Sequence, residues 1–124
     1  MAKATSRQID TLKKFGFAAP PPTKAGCSTL LNFIISSKWR GMDQTFRIRY
    51  ALATEKKWLD KHVLVDGSKH GTVDYIICAP KYELLHTIQE GRDERSSPFR
   101  FHVIGDDGKR LGIRSVVSLT LIEE

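Results

Sequence analysis

The sequence predicts an α+β protein, in which a basic N-terminal helical hairpin precedes a small antiparallel sheet or partly open barrel of about five strands with one inserted helix. Three observations support this fold class. Apolar residues recur at helical spacing as far as residue 35 and alternate with polar residues from residue 45 onward. Glycine-rich turns separate the later segments. Seven Lys or Arg stand against two acidic residues in the first 44 positions, so nearly all of the net charge of +6 belongs to the N-terminal third of the chain.

The first helix is predicted over residues 6–15. Thr5 and Gln8 have the spacing of a capping box, in which two side chains accept hydrogen bonds from backbone N–H groups at the helix start. Gly16 follows where a helix usually ends, because glycine adopts a left-handed backbone conformation without strain. Between these two signals, helical spacing relates the apolar residues Ile9, Leu12 and Phe15.

The second helix is predicted after three consecutive prolines at positions 20–22, which cannot continue the first helix and form a stiff connector. Thr23 is its predicted cap. A buried stripe at spacing i, i+3, i+4 and i+7 follows in Cys27, Leu30, Leu31 and Ile34. We therefore assign residues 1–37 to the basic hairpin and residues 38–44 to a linker.

Residues 45–124 form the predicted β domain. Its first strand is expected over residues 45–52, where Arg47, Arg49 and Ala51 alternate with large apolar residues. The sequence then predicts two strands around a turn, a helix that begins at a proline, and further strands around a Gly-Asp-Asp-Gly turn. In order, these elements are 62–65, the turn at Asp66-Gly67, 71–77, the helix 80–90, 99–103, the turn at 105–108, and 111–121.

Two stretches carry a resemblance to known families. The pattern Thr5-x-x-Gln8-x-x-x-Leu12-x-x-x-Gly16, followed by Thr23-Lys24-x-x-Cys27-Ser28-x-Leu30-Leu31, resembles a small helical-hairpin module of phage and bacterial proteins, often found beside nucleases, helicases or recombination functions. That module usually has Ala-Ser or a similar small pair where this chain has Cys27-Ser28. The pattern Val63-x-Val65-Asp66-Gly67, with Gly71-Thr72-Val73-x-Tyr75-Ile76, is similar to the strand-turn-strand opening of small SH3-like barrels. These resemblances imply a nucleic-acid-associated hairpin and an SH3-like sheet.

The basic hairpin is the first candidate site. Cations around an aromatic ring suit nucleic acid, because they neutralise phosphates while the ring stacks on a base or enters a groove. The alternative is that the lysines form the solvated face of amphipathic helices and that the tryptophan caps the core. The candidate residues are Arg7, Lys13, Lys14, Lys24, Lys38, Trp39 and Arg40.

The polar face of the sheet is the second candidate site. If the predicted strands are neighbours, their guanidinium groups form a row that phosphates or an acidic protein can occupy. The alternative is cross-strand pairing of these cations with Asp74, Glu83, Asp93 or Glu94. The residues expected in the row are Arg47, Arg49, Arg100, His102, Arg110 and Arg114.

The sequence indicates no cofactor and no metal ligand set. The four histidines lie on separate predicted elements, and neither Cys27 nor Cys78 has a partner at zinc-binding spacing, so both are expected to be buried thiols. A divalent-metal nuclease site built from Asp66, Asp74 and Glu83 stays open as a third reading, although the spacing does not require it.

These patterns lead to an expected function. The preferred one is non-catalytic nucleic-acid binding, DNA more than RNA, by a phage or bacterial accessory protein. The alternative is a small phage-type inhibitor or adaptor that binds a host protein or nucleoprotein complex, such as a defence system. We expect a cytoplasmic location and no membrane partner, because the sequence lacks both a hydrophobic signal region and an apolar run of membrane-spanning length.

Overall fold

The computed structural model describes residues 2–35, 43–78 and 99–122, in which three helices precede a five-stranded antiparallel sheet. The helices are α1 (Ser6–Phe15), α2 (Lys24–Ile35) and α3 (Gln44–Trp58). The strands are β1 (His62–Val65), β2 (Lys69–Cys78), β3 (Phe99–Gly105), β4 (Arg110–Ser115) and β5 (Leu119–Leu121), with a 3-10 turn at Val116–Ser118. The predicted α+β class is confirmed, and the helix expected at 80–90 lies outside the described residues. No helix within those residues combines the length and apolarity needed to cross a membrane.

Local signals place α1 and α2 where the sequence predicts them. The Thr5 hydroxyl accepts from the Gln8 backbone N–H at 3.1 Å, and the Gln8 side chain accepts from the Thr5 N–H at 3.0 Å, which completes the capping box. Gly16 ends α1 with a φ of 113°, a conformation that L side chains rarely adopt. The Thr23 hydroxyl accepts from the Gly26 N–H at 3.1 Å and caps α2.

Helices α1 and α2 begin side by side. The Ala4 N–H donates to the Pro22 carbonyl at 2.9 Å, and the Lys24 N–H donates to the Ala2 carbonyl at 3.0 Å. The Gln8 side-chain amide also donates to the Ser28 hydroxyl at 3.2 Å. The three prolines therefore bring the chain back along α1 before α2 starts, because their fixed φ favours an extended path.

The strand predicted over residues 45–52 is wrong, because this segment belongs to α3. The Asp43 carboxylate caps that helix by accepting from the Phe46 N–H at 2.7 Å. The buried stripe of α3 follows helical spacing but includes two charged residues. The apolar residues alone therefore do not show the helical period. The members of the stripe are Arg47, Ala51, Glu55 and Trp58.

Both buried charged residues of α3 bind the backbone of the first two helices. The Arg47 guanidinium donates to the Phe33 carbonyl near the end of α2 at 3.0 Å. The Glu55 carboxylate accepts from the Ala18 N–H at 2.8 Å and from the Ala19 N–H at 3.3 Å. Because a buried charge is stable only when it is hydrogen-bonded, these contacts set where α3 docks.

The sheet has the strand order β4-β3-β2-β1-β5, and it is open. Only the 3-10 turn joins β4 at one edge to β5 at the other. Four Cα steps from Ser115 to Leu119 reach about 15 Å at most. The edges of a flat five-stranded sheet lie about 19 Å apart. The sheet must therefore curl, which fits the predicted partly open form, although it does not close into a barrel.

The turn between β1 and β2 connects the two edges of the curled sheet. Asp66 and Gly67 both have positive φ, at 51° and 74°, as expected for the predicted turn. The Asp66 N–H donates to the Ser118 carbonyl at 2.9 Å, and the Asp66 carboxylate accepts from the Arg114 guanidinium at 3.3 Å. This turn thus holds the segment around the 3-10 turn against the opposite side of the sheet.

The core lies between the helices and the concave face of the sheet. Phe33 of α2 contacts Phe99 of β3 edge to face at 5.4 Å, and Tyr50 of α3 contacts the same ring at 5.4 Å. Trp58 of α3 packs on Phe101 of β3 at 5.0 Å between ring centroids. The aromatic contacts therefore join α2 and α3 to the middle of the sheet.

Replacing Glu55 with Gln should lower the free energy of unfolding by about 1–3 kcal/mol. The substitution replaces one of the two carboxylate oxygens with an NH2 group, which is a donor and cannot accept from the N–H group of Ala18 or Ala19 that it faces. Urea denaturation of the purified protein measures this change. Lys56→Gln at the neighbouring exposed position is the matched control, and it should change stability by less than about 0.5 kcal/mol. Equal effects of the two variants would contradict the role given to Glu55.

Candidate nucleic-acid interface

The charge of the protein is divided between the helices and the sheet. The described residues of the helices, 2–35 and 43–61, hold ten Lys or Arg against four Asp or Glu, whereas the described residues of the sheet, 62–78 and 99–122, hold five against four. The positive field therefore belongs to the helical layer, which we define as α1, α2, α3 and the residues that join them. It is larger than the first 44 residues alone indicate, because α3 adds cations to it.

The acidic side chains of the helical layer neutralise few of its cations. Glu55 is buried and binds backbone N–H groups, and Asp43 caps α3. Arg7, Lys13, Lys14 and Lys24 are exposed. Among the described residues, no carboxylate oxygen lies within 4.0 Å of the charged nitrogens of these four side chains. The predicted basic surface of α1 and α2 is therefore present without local ion pairs.

Three cations of the helical layer share the end where α1 and α2 begin. Lys3 forms a backbone bridge with Thr23, Arg7 lies in the first turn of α1, and Lys24 starts α2. Neither first turn contains an acidic residue. Helix macrodipoles disfavour cations at this end, so these positions do not serve helix stability.

The sequence interpretation missed a second group of cations, on α3. Lys56 and Lys57 lie in its last turn, and Lys61 follows before β1. The Lys57 ammonium also lies over the Trp58 ring at 5.9 Å from its centroid. The signal available in the sequence was the absence of glycine and proline from residues 44–61, which is typical of a helix rather than of a strand and turn.

Arg47 does not belong to the surface that the sequence predicted. Its side chain is buried and donates to the Phe33 carbonyl, and its Nε lies 3.4 Å from the Asp43 carbonyl. Burial lowers the pKa of Arg47, and the nearby Asp43 charge opposes that shift. Arg49, two residues further along α3, is exposed and stays in the helical surface.

The predicted arginine row on the sheet is broken by its register. Arg114 is opposite Phe101, so it lies on the concave face, where it reaches Asp66. Arg100 and Arg110 are opposite Ser115 and Ile104 on the convex face. Since Arg47 and Arg49 lie on a helix, the convex face retains only two of the five arginines expected in the row.

The convex face instead carries a hydrogen-bonded aromatic cluster. The His102 Nδ1 lies 2.6 Å from the Asp74 Oδ1, and the His102 ring stacks on Tyr75 with centroids 4.6 Å apart and planes 7° from parallel. Asp74 is the extra residue of a β-bulge between Val73 and Tyr75. The sequence left open that side chains of this face pair across strands with Asp74. His102 does so.

Other predicted site residues lie outside the described part of the chain. These are Lys38, Trp39 and Arg40 of the linker, together with Glu83 of the hypothetical nuclease site. Within the ranges 2–35, 43–78 and 99–122, no three His, Cys, Asp or Glu side chains come together as a metal site. The two aspartates of the nuclease hypothesis have different partners, since Asp74 pairs with His102 and Asp66 with Arg114.

Both cysteines are buried thiols. Cys27 donates to the Pro21 carbonyl at 3.1 Å, and Cys78 ends β2. Burial raises the pKa of both thiols, and for Cys78 the charge of Arg100 partly opposes this shift. A raised pKa lowers the thiolate fraction, which is the reactive form.

Comparison of the chain with known protein families, with curated proteins and with solved structures finds no match. The function of the chain is therefore inferred from its own residues.

Replacing Arg47 with Met should lower the free energy of unfolding by about 1.5–3 kcal/mol, because the buried Phe33 carbonyl loses a charged donor. Arg49→Met, with the same chemical change at an exposed site, should change it by less than about 0.5 kcal/mol. Thermal unfolding of both variants beside the unsubstituted protein gives the comparison. A larger loss at Arg49 would show that the assignment of buried and surface roles is reversed.

Both thiols should resist modification in the folded protein, because they are buried and their pKa values are raised. An aromatic disulfide reagent at pH 8 should modify neither thiol promptly without denaturant and both in urea. Rapid modification of either cysteine in the folded state would contradict the packing of α2 or β2.

Proposed function

We propose that this protein is a non-catalytic nucleic-acid-binding accessory protein, whose helical layer holds the phosphate backbone of DNA in preference to RNA. The preference for DNA and a phage or bacterial cytoplasmic setting are parts of the same proposal. They rest on the resemblance of residues 5–31 to the hairpin module. The phosphate contacts rest on the charges of the helical layer.

One observation carries the proposal: cations occupy places on α1 and α2 where they do not stabilise the fold. Arg7 and Lys24 lie in first turns that contain no acidic residue, and neither has an ion pair within the described residues. A folded domain gains nothing from this arrangement, since like charges and helix dipoles both oppose it. An anionic partner removes that penalty, because phosphates bind cations and release counterions to the solvent.

The distribution of the cations suits an extended polyanion better than a single small anion. Arg7 and Lys14 lie seven residues apart on α1, which corresponds to about 10 Å along the helix axis. Lys56 and Lys57 extend the basic surface at the end of α3. A backbone with regularly spaced phosphates can contact several of these side chains at once.

The net charge of the helices supports contact through the helical layer. The described residues 2–35 and 43–61 hold ten Lys or Arg against four Asp or Glu, whereas residues 62–78 and 99–122 hold five against four, so a polyanion is attracted mainly to the helical layer. Lys13 and Lys14 at the end of α1, and Arg49 on α3, belong to the attractive side.

Salt dependence tests the proposal directly. With about five phosphate contacts, the logarithm of the affinity for duplex DNA should fall against the logarithm of salt concentration with a slope near −4 to −5. Fluorescence anisotropy with labelled duplex and single-stranded DNA, measured over a range of salt concentrations, gives the slope. Absence of binding to either DNA at low salt would end the proposal and favour the protein-binding alternative.

Reversing two charges separates binding from stability. The double variant Arg7→Glu, Lys24→Glu should bind DNA at least about tenfold more weakly, while its helices gain about 0.3–1 kcal/mol per acidic side chain at a helix start. The matched control is Lys69→Glu, Lys109→Glu, which lowers the net charge equally but on the sheet. For the first variant, anisotropy with duplex DNA should show weaker binding while urea denaturation shows higher stability. The control should show little loss of duplex binding. Equal losses of binding in both would mean that total charge, rather than the helical layer, attracts DNA.

A further inference from the structure

The convex face of the sheet has a regular arrangement around His102. Register places three residues side by side in each of three rows across β2, β3 and β4, all on the side away from the helices. The central row is the most aromatic, and each flanking row contains one arginine. The rows are Thr72-Ile104-Arg110, Tyr75-His102-Ile113 and Ile77-Arg100-Ser115.

The β-bulge at Asp74 places a carboxylate beside the His102 ring and so determines that Nδ1 carries a proton. A carboxylate accepts hydrogen bonds, so the Nδ1 that lies 2.6 Å from it carries the ring proton. In the neutral ring, Nε2 is then an acceptor. The side chain of His102 is only 8% exposed, and no hydrogen bond to Nε2 is present within the described residues. A polar atom on so buried a side chain indicates a partner beyond those that the described residues supply.

Tyr75 is the ring that a ligand can reach. One of its faces lies against His102 at 4.6 Å, and no second ring contacts it within the described ranges. The side chain is half-buried, and burial raises the pKa of its phenol, as does the Asp74 charge, while Arg110 lowers it. The phenol therefore stays neutral, and the Arg110 guanidinium lies close enough to act on it.

This arrangement has the parts of a stacking platform. Asp74 orients His102, His102 supports the inner face of Tyr75, and the outer face of that ring is left for a planar partner. Arg110 is exposed and has no ion pair among the described side chains, so an anion beside the ring can bind it. A planar aromatic group joined to an anion is the chemistry of a nucleotide.

We propose that the convex face of β2, β3 and β4 binds one unstacked nucleotide of a single-stranded nucleic acid, with its base on the outer face of Tyr75 and its phosphate on Arg110. The Nε2 of His102 forms a hydrogen bond with the strand at the edge of this platform. The site is separate from the helical layer, and it rests on the proposed function because it supplies the contact to unpaired bases. Duplex DNA cannot use it, since its bases are paired and stacked.

The test compares Tyr75→Leu with Tyr75→Phe, which keeps a ring without the hydroxyl. The probe is a labelled DNA strand of about 20 nucleotides, beside a duplex of the same length. Stacking on one base is lost in the leucine variant, which should bind the single strand about tenfold more weakly and the duplex unchanged. The phenylalanine variant should stay within about twofold of the unsubstituted protein on both probes. His70→Ala, an exposed substitution on β2 outside the three rows, is the control.

The positioning role of Asp74 has its own readout. A strand with 2-aminopurine reports stacking through a change in fluorescence at saturation, when affinity no longer matters. In Asp74→Asn the His102 ring is no longer held by a carboxylate, so Tyr75 loses its fixed support and the fluorescence change at saturation should be smaller. Cooperative unfolding of this variant should show that the domain is still folded.

The outcomes distinguish this site from the helical layer. Unchanged single-strand binding by Tyr75→Leu, with binding still lost in the Arg7→Glu, Lys24→Glu variant, overturns the platform and leaves the proposed function intact. Equal losses on single strand and duplex in Tyr75→Leu also overturn the platform, because the substitution then acts through the fold. Absence of binding to both probes by the unsubstituted protein overturns the proposed function and the platform with it.

Discussion

Helix α3 is positioned by two buried charges that bind backbone groups rather than each other. Arg47 donates to a carbonyl near the end of α2, and Glu55 accepts from N–H groups in the segment after α1. Apolar contacts are not directional, but these hydrogen bonds are, and leaving either charge unpaired costs more than an ordinary contact contributes. Between them, Ala51 and Trp58 complete the buried stripe, and Trp58 carries it to the sheet. The docking of the helical layer on the concave face depends on this arrangement.

The same contacts shape the external charge. A carboxylate that binds backbone N–H groups inside the layer is not available to lysines on its surface, and Glu55 is used in this inward way. Asp43 is engaged at the start of α3 in a similar way. The positive field is therefore a consequence of how the acidic residues are used as well as of how many lysines are present.

Two irregularities in the strand register determine which side chains lie on each face of the sheet. The bulge at Asp74 turns a carboxylate towards His102 and keeps Tyr75 beside it, and an irregularity between Val103 and Ile104 sets which residues of β4 face outward. As a result Arg114 crosses the concave side to Asp66, while Arg110 stays near Tyr75. A regular ladder would have placed different side chains together, because a one-residue shift moves a side chain to the opposite face.

Signals within a few residues were enough to predict α1 with its capping box and Gly16, α2 after the prolines, and the turn at Asp66. These elements depend on local hydrogen bonds and backbone preferences, so they can be recognised without the fold. The helix at residues 44–58, the internal position of Arg47 and the core-side position of Arg114 became evident in the folded structure alone. Burial of a charge and the face of a strand depend on partners distant along the chain, and alternation in one segment contains no information about them.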